Sequence, residues 1–200
     1  MEAFFLSAEI GLLADGCLRM ILRYDPAQGL VRSNQVNKLI LGYSLIIGWF
    51  LSLCLRDWGT VGRLGAGVLA AYLLVGSVTD LQTKEVYDFS HDVTAGIGIM
   101  LSCFLPFDKG SAVSLVVFCL LQKFLFAKMY GKADAKAFMV CALFESIGGG
   151  KMDTFLWHML AAFAALAAVQ AKRHNISSRG NLKQPVAFLP YIMLTVWPFL

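Results

Sequence analysis

LILGYSLIIGWFLSLCL, residues 39–55, runs for seventeen residues without a charged side chain. That is close to the minimum, about 17 residues, that an α-helix needs to cross the hydrocarbon core of a bilayer. Similar apolar runs recur at 62–79, 92–107, 111–129, 135–148, 153–171 and 185–200. Several are short, so they are expected to extend into neighbouring residues, tilt, or sit against thinned lipid. Composition agrees: 58% of the 200 residues are hydrophobic, 15% are charged and mean hydropathy is +0.67. An ordinary soluble domain carries about a quarter of its residues as charges. The chain therefore reads as an all-α, polytopic transmembrane bundle.

No polar stretch is long enough for a separate soluble domain, so residues 1–200 read as one unit, with 1–38 an N-terminal helix and cytoplasmic linker and 39–200 the core. The first segment, 3–22, is interrupted by Glu9, Asp15 and Arg19 and suits either a span or an in-plane amphipathic helix. Acids stand where a secretory signal would carry its positive region, which predicts that the segment stays in the mature protein. The net charge of +4 comes from basic residues scattered in short pieces between apolar runs. That distribution points to membrane lipids and gives no stripe for nucleic acid. Cys17, Cys54, Cys103, Cys119 and Cys141 form no C-x-x-C pair, and His91, His158 and His174 have no ligand spacing, so neither a disulfide framework nor a metal is expected.

Orientation follows from Lys and Arg, which collect in cytoplasmic loops. If the segments alternate, one set of loops holds Arg23, Arg32, Lys38, Lys84, Lys128, Lys132, Lys136, Lys172, Arg173, Arg179 and Lys183. The opposite set holds only Arg56, Arg63, Lys109 and Lys151. The first set is therefore assigned to the cytoplasm. SVTDLQTKEVYDFSH (77–91) and YGKADAKAF (130–138) then lie on that same side, so Asp80 and Asp134 share one membrane face. Each could simply end or cap its helix. Gly131 and Ala133 nevertheless strip bulk from around Asp134, which suits close approach of a helix or a substrate backbone.

These residues carry a family resemblance. DLQTKEVYD at 80–88 resembles the first aspartate motif of type IV prepilin peptidases and archaeal preflagellin peptidases. GKADAK at 131–136 is similar to their G-x-G-D motif with its trailing lysine, and VAFLPYIML at 186–194 resembles their apolar C-terminal motif. The resemblance implies an intramembrane aspartyl endopeptidase with Asp80 and Asp134 as its catalytic pair, supported by Lys84, Gly131, Ala133, Lys136 and Pro190. It implies eight helices and no cofactor, in the cytoplasmic membrane of a prokaryote. The implied substrate is a prepilin or pseudopilin-like protein with a short basic leader, a small residue at the cut and an apolar helix beyond it. Two positions depart from the pattern: Ala133 replaces its second glycine, and Ala187 stands where a proline is common. Bifunctional relatives also carry a zinc-bearing methyltransferase domain after the first span, where this chain has only RYDPAQGLVRSNQVNK, residues 23–38.

Two neighbouring carboxyls suit peptide hydrolysis because both cannot stay ionised: the charged one takes a proton from water, and the neutral one polarises the carbonyl and protonates the leaving amine. Asp134, near a helix N-terminus and between Lys132 and Lys136, is expected to ionise more easily than Asp80. Glu145, eleven residues after Asp134, should lie near the opposite surface as a packing or interfacial acid. Asp153 reads as an N-cap, Lys123 as a snorkelling lysine, and Asp88 as an outer neighbour that could tune Asp80. Two other classes fit the same acids: a non-enzymatic transporter or scaffold that binds ions, and a protease of the presenilin or signal-peptide-peptidase type. Both expect acids deeper in the bilayer than the edge positions of Asp80 and Asp134.

Overall fold

A computed structural model describes residues 2–24, 30, 33–55, 59–105, 108–176 and 186–200. Arg32, Arg56, Arg179, Lys183 and most of the linker between the first two helices lie outside them. Among the described residues there are eight α-helices and no strand: α1 (Glu2–Tyr24), α2 (Asn34–Cys54), α3 (Gly59–Thr83), α4 (Asp88–Ser102), α5 (Lys109–Phe124), α6 (Lys132–Ile147), α7 (Met152–Ile176) and α8 (Leu189–Thr195). Short 3-10 turns follow α5 at Phe126–Lys128 and α8 at Trp197–Phe199.

Four segments are long and apolar enough to cross a membrane: Asn34–Cys54, Gly59–Thr83, Lys109–Lys128 and Met152–Lys172. Helices α4 and α6, with 15 and 16 residues, fall short of a full span. The run at 185–200 does not form the long helix its composition suggests. α8 has 7 residues; Pro198 lacks the N–H that would bond the Leu194 carbonyl, and the chain tightens there into a 3-10 turn.

α3 is the hub, packing against α1, α2, α4, α6 and α8. Its apolar stretch is 83% buried, against 17% for those of α5 and α7. Small residues make this possible. A Cβ on Gly76 would run into Leu189 of α8, and one on Gly65 would lie 2.7 Å from a Leu101 methyl at the end of α4. α1 lies along α2 with Leu6, Ile10, Ala14, Leu18 and Ile21 turned inward, and a Cβ on Gly48 would come within 2.6 Å of the Ser7 backbone nitrogen. The outer faces of α2 and α5 stay apolar, with Ile46, Trp49, Val113 and Val116 exposed. Water tolerates such continuous apolar faces poorly, whereas lipid suits them.

The turn between α6 and α7 is set by Gly148, Gly149 and Gly150. Gly149 takes φ 89°, its N–H bonds the Ser146 carbonyl over 3.1 Å, and Gly150 N–H reaches back to the Glu145 carbonyl over 2.9 Å. This left-handed glycine closure satisfies carbonyls that the end of α6 leaves open. It also corrects the reading of Asp153. α7 starts at Met152, so Asp153 lies inside its first turn, and Thr154 Oγ1 accepts the Lys151 N–H instead, over 3.3 Å.

Candidate functional site

Asp80 occupies the last turn of α3, whose helical geometry ends at Thr83. The Lys84 N–H closes that turn on the Asp80 carbonyl over 3.1 Å, and Lys84 takes φ 60°, the left-handed conformation that stops the helix. The Asp80 side chain is 7% exposed, and its Oδ2 accepts the Leu189 N–H over 3.0 Å. A carboxylate from one helix end thus satisfies an open donor in the first turn of another, which draws 186–190 onto α3. Pro190 follows as the second residue of α8, half-buried, where its missing N–H is harmless.

Asp134 is the third residue of α6 and half-buried. The entry to α6 depends on Gly131, with φ 126° and ψ 152°, backbone geometry that side-chain-bearing residues rarely adopt. A Cβ there would sit 3.4 Å from Asp134 Oδ2. Ala133, two residues on, is already helical, so the position where the family pattern carries glycine needs no positive φ in this chain. Before Gly131, Tyr130 anchors the turn. Its hydroxyl donates to Gln122 Oε1, and its ring packs edge-on against Phe138, Phe163 and Phe188, with centroids 5.1–6.1 Å away. Phe188 in turn holds the segment that presents the Leu189 N–H to Asp80.

The two carboxyls lie within electrostatic reach of each other. Burial, and then the charge of Asp80, pushes Asp134 up to about 7. Sequence reasoning, which made Asp134 the easily ionised partner, is corrected here: desolvation outweighs the help of the helix N-terminus. Lys136, meanwhile, is engaged elsewhere. Its Nζ donates to Asp88 Oδ1 over 2.8 Å, and this bond holds the exposed Asp88 carboxyl below its usual range. Asp88 thus pairs with Lys136 at the start of α4. Lys84 is exposed at the rim and Ala133 half-buried in the first turn of α6.

Two polar pairs lay outside the sequence-predicted set. Tyr72 Oη is 2.6 Å from His91 Nδ1, joining α3 to α4. At the far end of α6, Glu145 Oε1 is 2.5 Å from His158 Nδ1, with the residues 1% exposed each. Glu145 is therefore a fully buried, paired acid and not an interfacial one. Its Oε2 and the His158 Nε2 have no partner among the described residues. The pairing is between residues 13 apart, one on each side of the glycine turn, so no helical periodicity announces it. Among the described residues no three His, Cys, Asp or Glu side chains converge as ligands for a metal. No family model matches this chain, and no curated protein or solved structure is significantly similar to it.

Proposed function

We propose that this chain is an intramembrane aspartyl endopeptidase of the prepilin-peptidase type, with Asp80 and Asp134 as its catalytic pair. The observation that carries this reading is the pairing of two acids from different helices, Asp80 buried and Asp134 raised to about 7 by burial first and by the charge of Asp80 second. At neutral pH such a pair holds one proton between two carboxyls. The ionised member takes a proton from water as it attacks the scissile carbonyl; the protonated member donates to that carbonyl and then to the departing amine. The small residues Gly131 and Ala133 leave room for an extended peptide beside Asp134. The substrate is a membrane-anchored prepilin-like protein, cut between its short basic leader and its apolar helix, at the cytoplasmic face of a prokaryotic membrane. Purified protein in detergent, given a matched prepilin-like substrate and a methyl donor, should yield a product shortened by the leader and unmethylated, read by mass spectrometry. Asp80→Asn and Asp134→Asn should each abolish that product with the protein still folded. Cleavage that survives Asp80→Asn overturns the assignment.

The Glu145–His158 pair favours a second reading, a membrane protein that binds and moves protons, because buried acid–base pairs in membranes often serve that purpose. Proteoliposomes carrying an internal pH dye distinguish the two: a proton flux lost in Glu145→Gln supports the second reading.

A further inference from the structure

α3 and α6 carry the two aspartates, yet they meet each other only briefly, while α4 packs along both. Each of those two α4 contacts carries one polar link. On the α3 side it is the Tyr72–His91 bond of 2.6 Å, between side chains that are 5% and 2% exposed. On the α6 side it is the Lys136–Asp88 bond of 2.8 Å. Tyr72 precedes Asp80 by two helical turns on the same face of α3, roughly 12 Å along the axis. Asp88 and His91 share the first turn of α4, and Asp134 and Lys136 the start of α6. A continuous chain of contacts thus runs from the helix of Asp80 to the helix of Asp134 through a single turn of α4.

We propose that α4 is a bracket that sets the separation of Asp80 and Asp134, with Tyr72, His91, Asp88 and Lys136 as positioning residues. The geometry stands without the peptidase reading; the kinetic consequences rest on it. An exposed ion pair alone is a weak tether. A water-shielded hydrogen bond on the same helical turn is stronger, and the rigid turn makes the two act together. Burial pushes His91 down to about 4, so near neutral pH its bond to Tyr72 joins two uncharged groups and does not depend on pH.

The titratable and charged groups around the pair are Tyr72 of α3 with Lys84 at its end, Asp88, His91 and Asp92 of α4, and Tyr130, Lys132, Lys136 and Cys141 on the segment of Asp134. α8 contributes backbone N–H. Tyr72→Phe removes no charge from this set, so a shift of the midpoint reports a change in how the two acids sit relative to each other. A wider gap weakens the repulsion between the carboxyls, so the last proton leaves at lower pH.

The test uses the full chain in detergent and two readouts. Infrared titration follows the protonated carboxyl band that disappears in Asp134→Asn, and cleavage kinetics follow the prepilin-like substrate. Asp80→Asn gives the uncoupled midpoint. Tyr72→Phe, nearly isosteric and neutral, should move the Asp134 midpoint toward that value by about 0.5 to 1 pH unit. It should also lower kcat about tenfold with KM changed less than about twofold, and carry the alkaline limb of the pH profile down with the midpoint. His91→Asn, which keeps a hydrogen-bonding atom where Nδ1 stands, should behave as wild type. Asp88→Asn combined with Lys136→Gln, at the surface and without change of net charge, gives the same comparison if Tyr72→Phe does not fold. A midpoint unmoved in Tyr72→Phe, or in the double variant where Tyr72→Phe does not fold, overturns the bracket, even if rates fall. A midpoint that moves in a wild-type background that cleaves nothing keeps the bracket and removes the peptidase reading instead.

Discussion

Gly131 turns the chain into α6 with φ 126°, and the acid three residues later depends on that turn. Any side chain here must either strain the backbone, by about 1–3 kcal/mol, or shift the first turn of α6. Gly131→Ala should therefore lower the thermal midpoint by several degrees and reduce cleavage at least tenfold, measured by unfolding in detergent and by product formation. Ala133→Gly, at a helical position, should cost about 1 kcal/mol of helix propensity and leave the site geometry alone. Asp134 makes a prediction about pH. Its native carboxyl is held near 7 against an ordinary 3.8, so the folded state binds a proton that the unfolded state releases. Stability from this group is present at low pH, declines as pH rises from about 3.8 to about 7, and is level above. Asp134→Asn should remove that slope in a stability–pH series. In wild type, cleavage should fall about tenfold per pH unit above about 7, as the shared proton is lost.

Among the elements, α6 has two polar ends: Asp134 at one and the buried Glu145–His158 pair at the other. Removing one partner of a buried pair strands the other, at about 3–5 kcal/mol. His158→Leu should accordingly unfold roughly 10 °C lower, Glu145→Gln should stay near wild type because an amide oxygen can still bond Nδ1–H, and Glu145→Leu with His158→Leu should recover most of the loss. A double variant as unstable as His158→Leu would show that the pair is not acting as a unit. The start of α6 was legible in GKADAKAF because its determinants are local: a glycine, small residues and an acid in the first turn. The end is set as locally, by three successive glycines. The partners were not legible. Asp88 and Lys136 are 48 residues apart, Asp80 and Leu189 are 109 apart, and nothing in a local pattern selects one exposed lysine over its neighbours. The length of α8 escaped composition as well, since an apolar run says how a segment is solvated and Pro198 decides how far it can stay helical.

On the scale of the whole molecule, a buried α3 is surrounded by helices whose outer faces are apolar, four segments being long enough to span. At 1.5 Å per residue, the 16 residues of α6 reach about 24 Å, short of a hydrocarbon core of about 30 Å. The bilayer should thin beside it or the helix ends should draw in water. In a background with the exposed Cys17, Cys54 and Cys103 replaced by serine, Lys132→Cys should react with a membrane-impermeant maleimide from the cytoplasmic side and Lys151→Cys from the other. Labelling of both from one side would mean that α6 does not cross, and would overturn the topology.

The bond between Asp80 and the Leu189 N–H has a consequence in time. The two residues are separated by 109 positions, and at a synthesis rate of about 5–20 residues per second Asp80 waits roughly 5–20 s for the donor that holds it. Joining positions so far apart also carries a loop-closure entropy that only the assembled bundle offsets. A nascent chain halted before Leu189 thus has both acids but lacks the donor that holds Asp80. On the proposed reading the acid pair is assembled only after Leu189 has been made, so cleavage lags behind synthesis of the acids themselves.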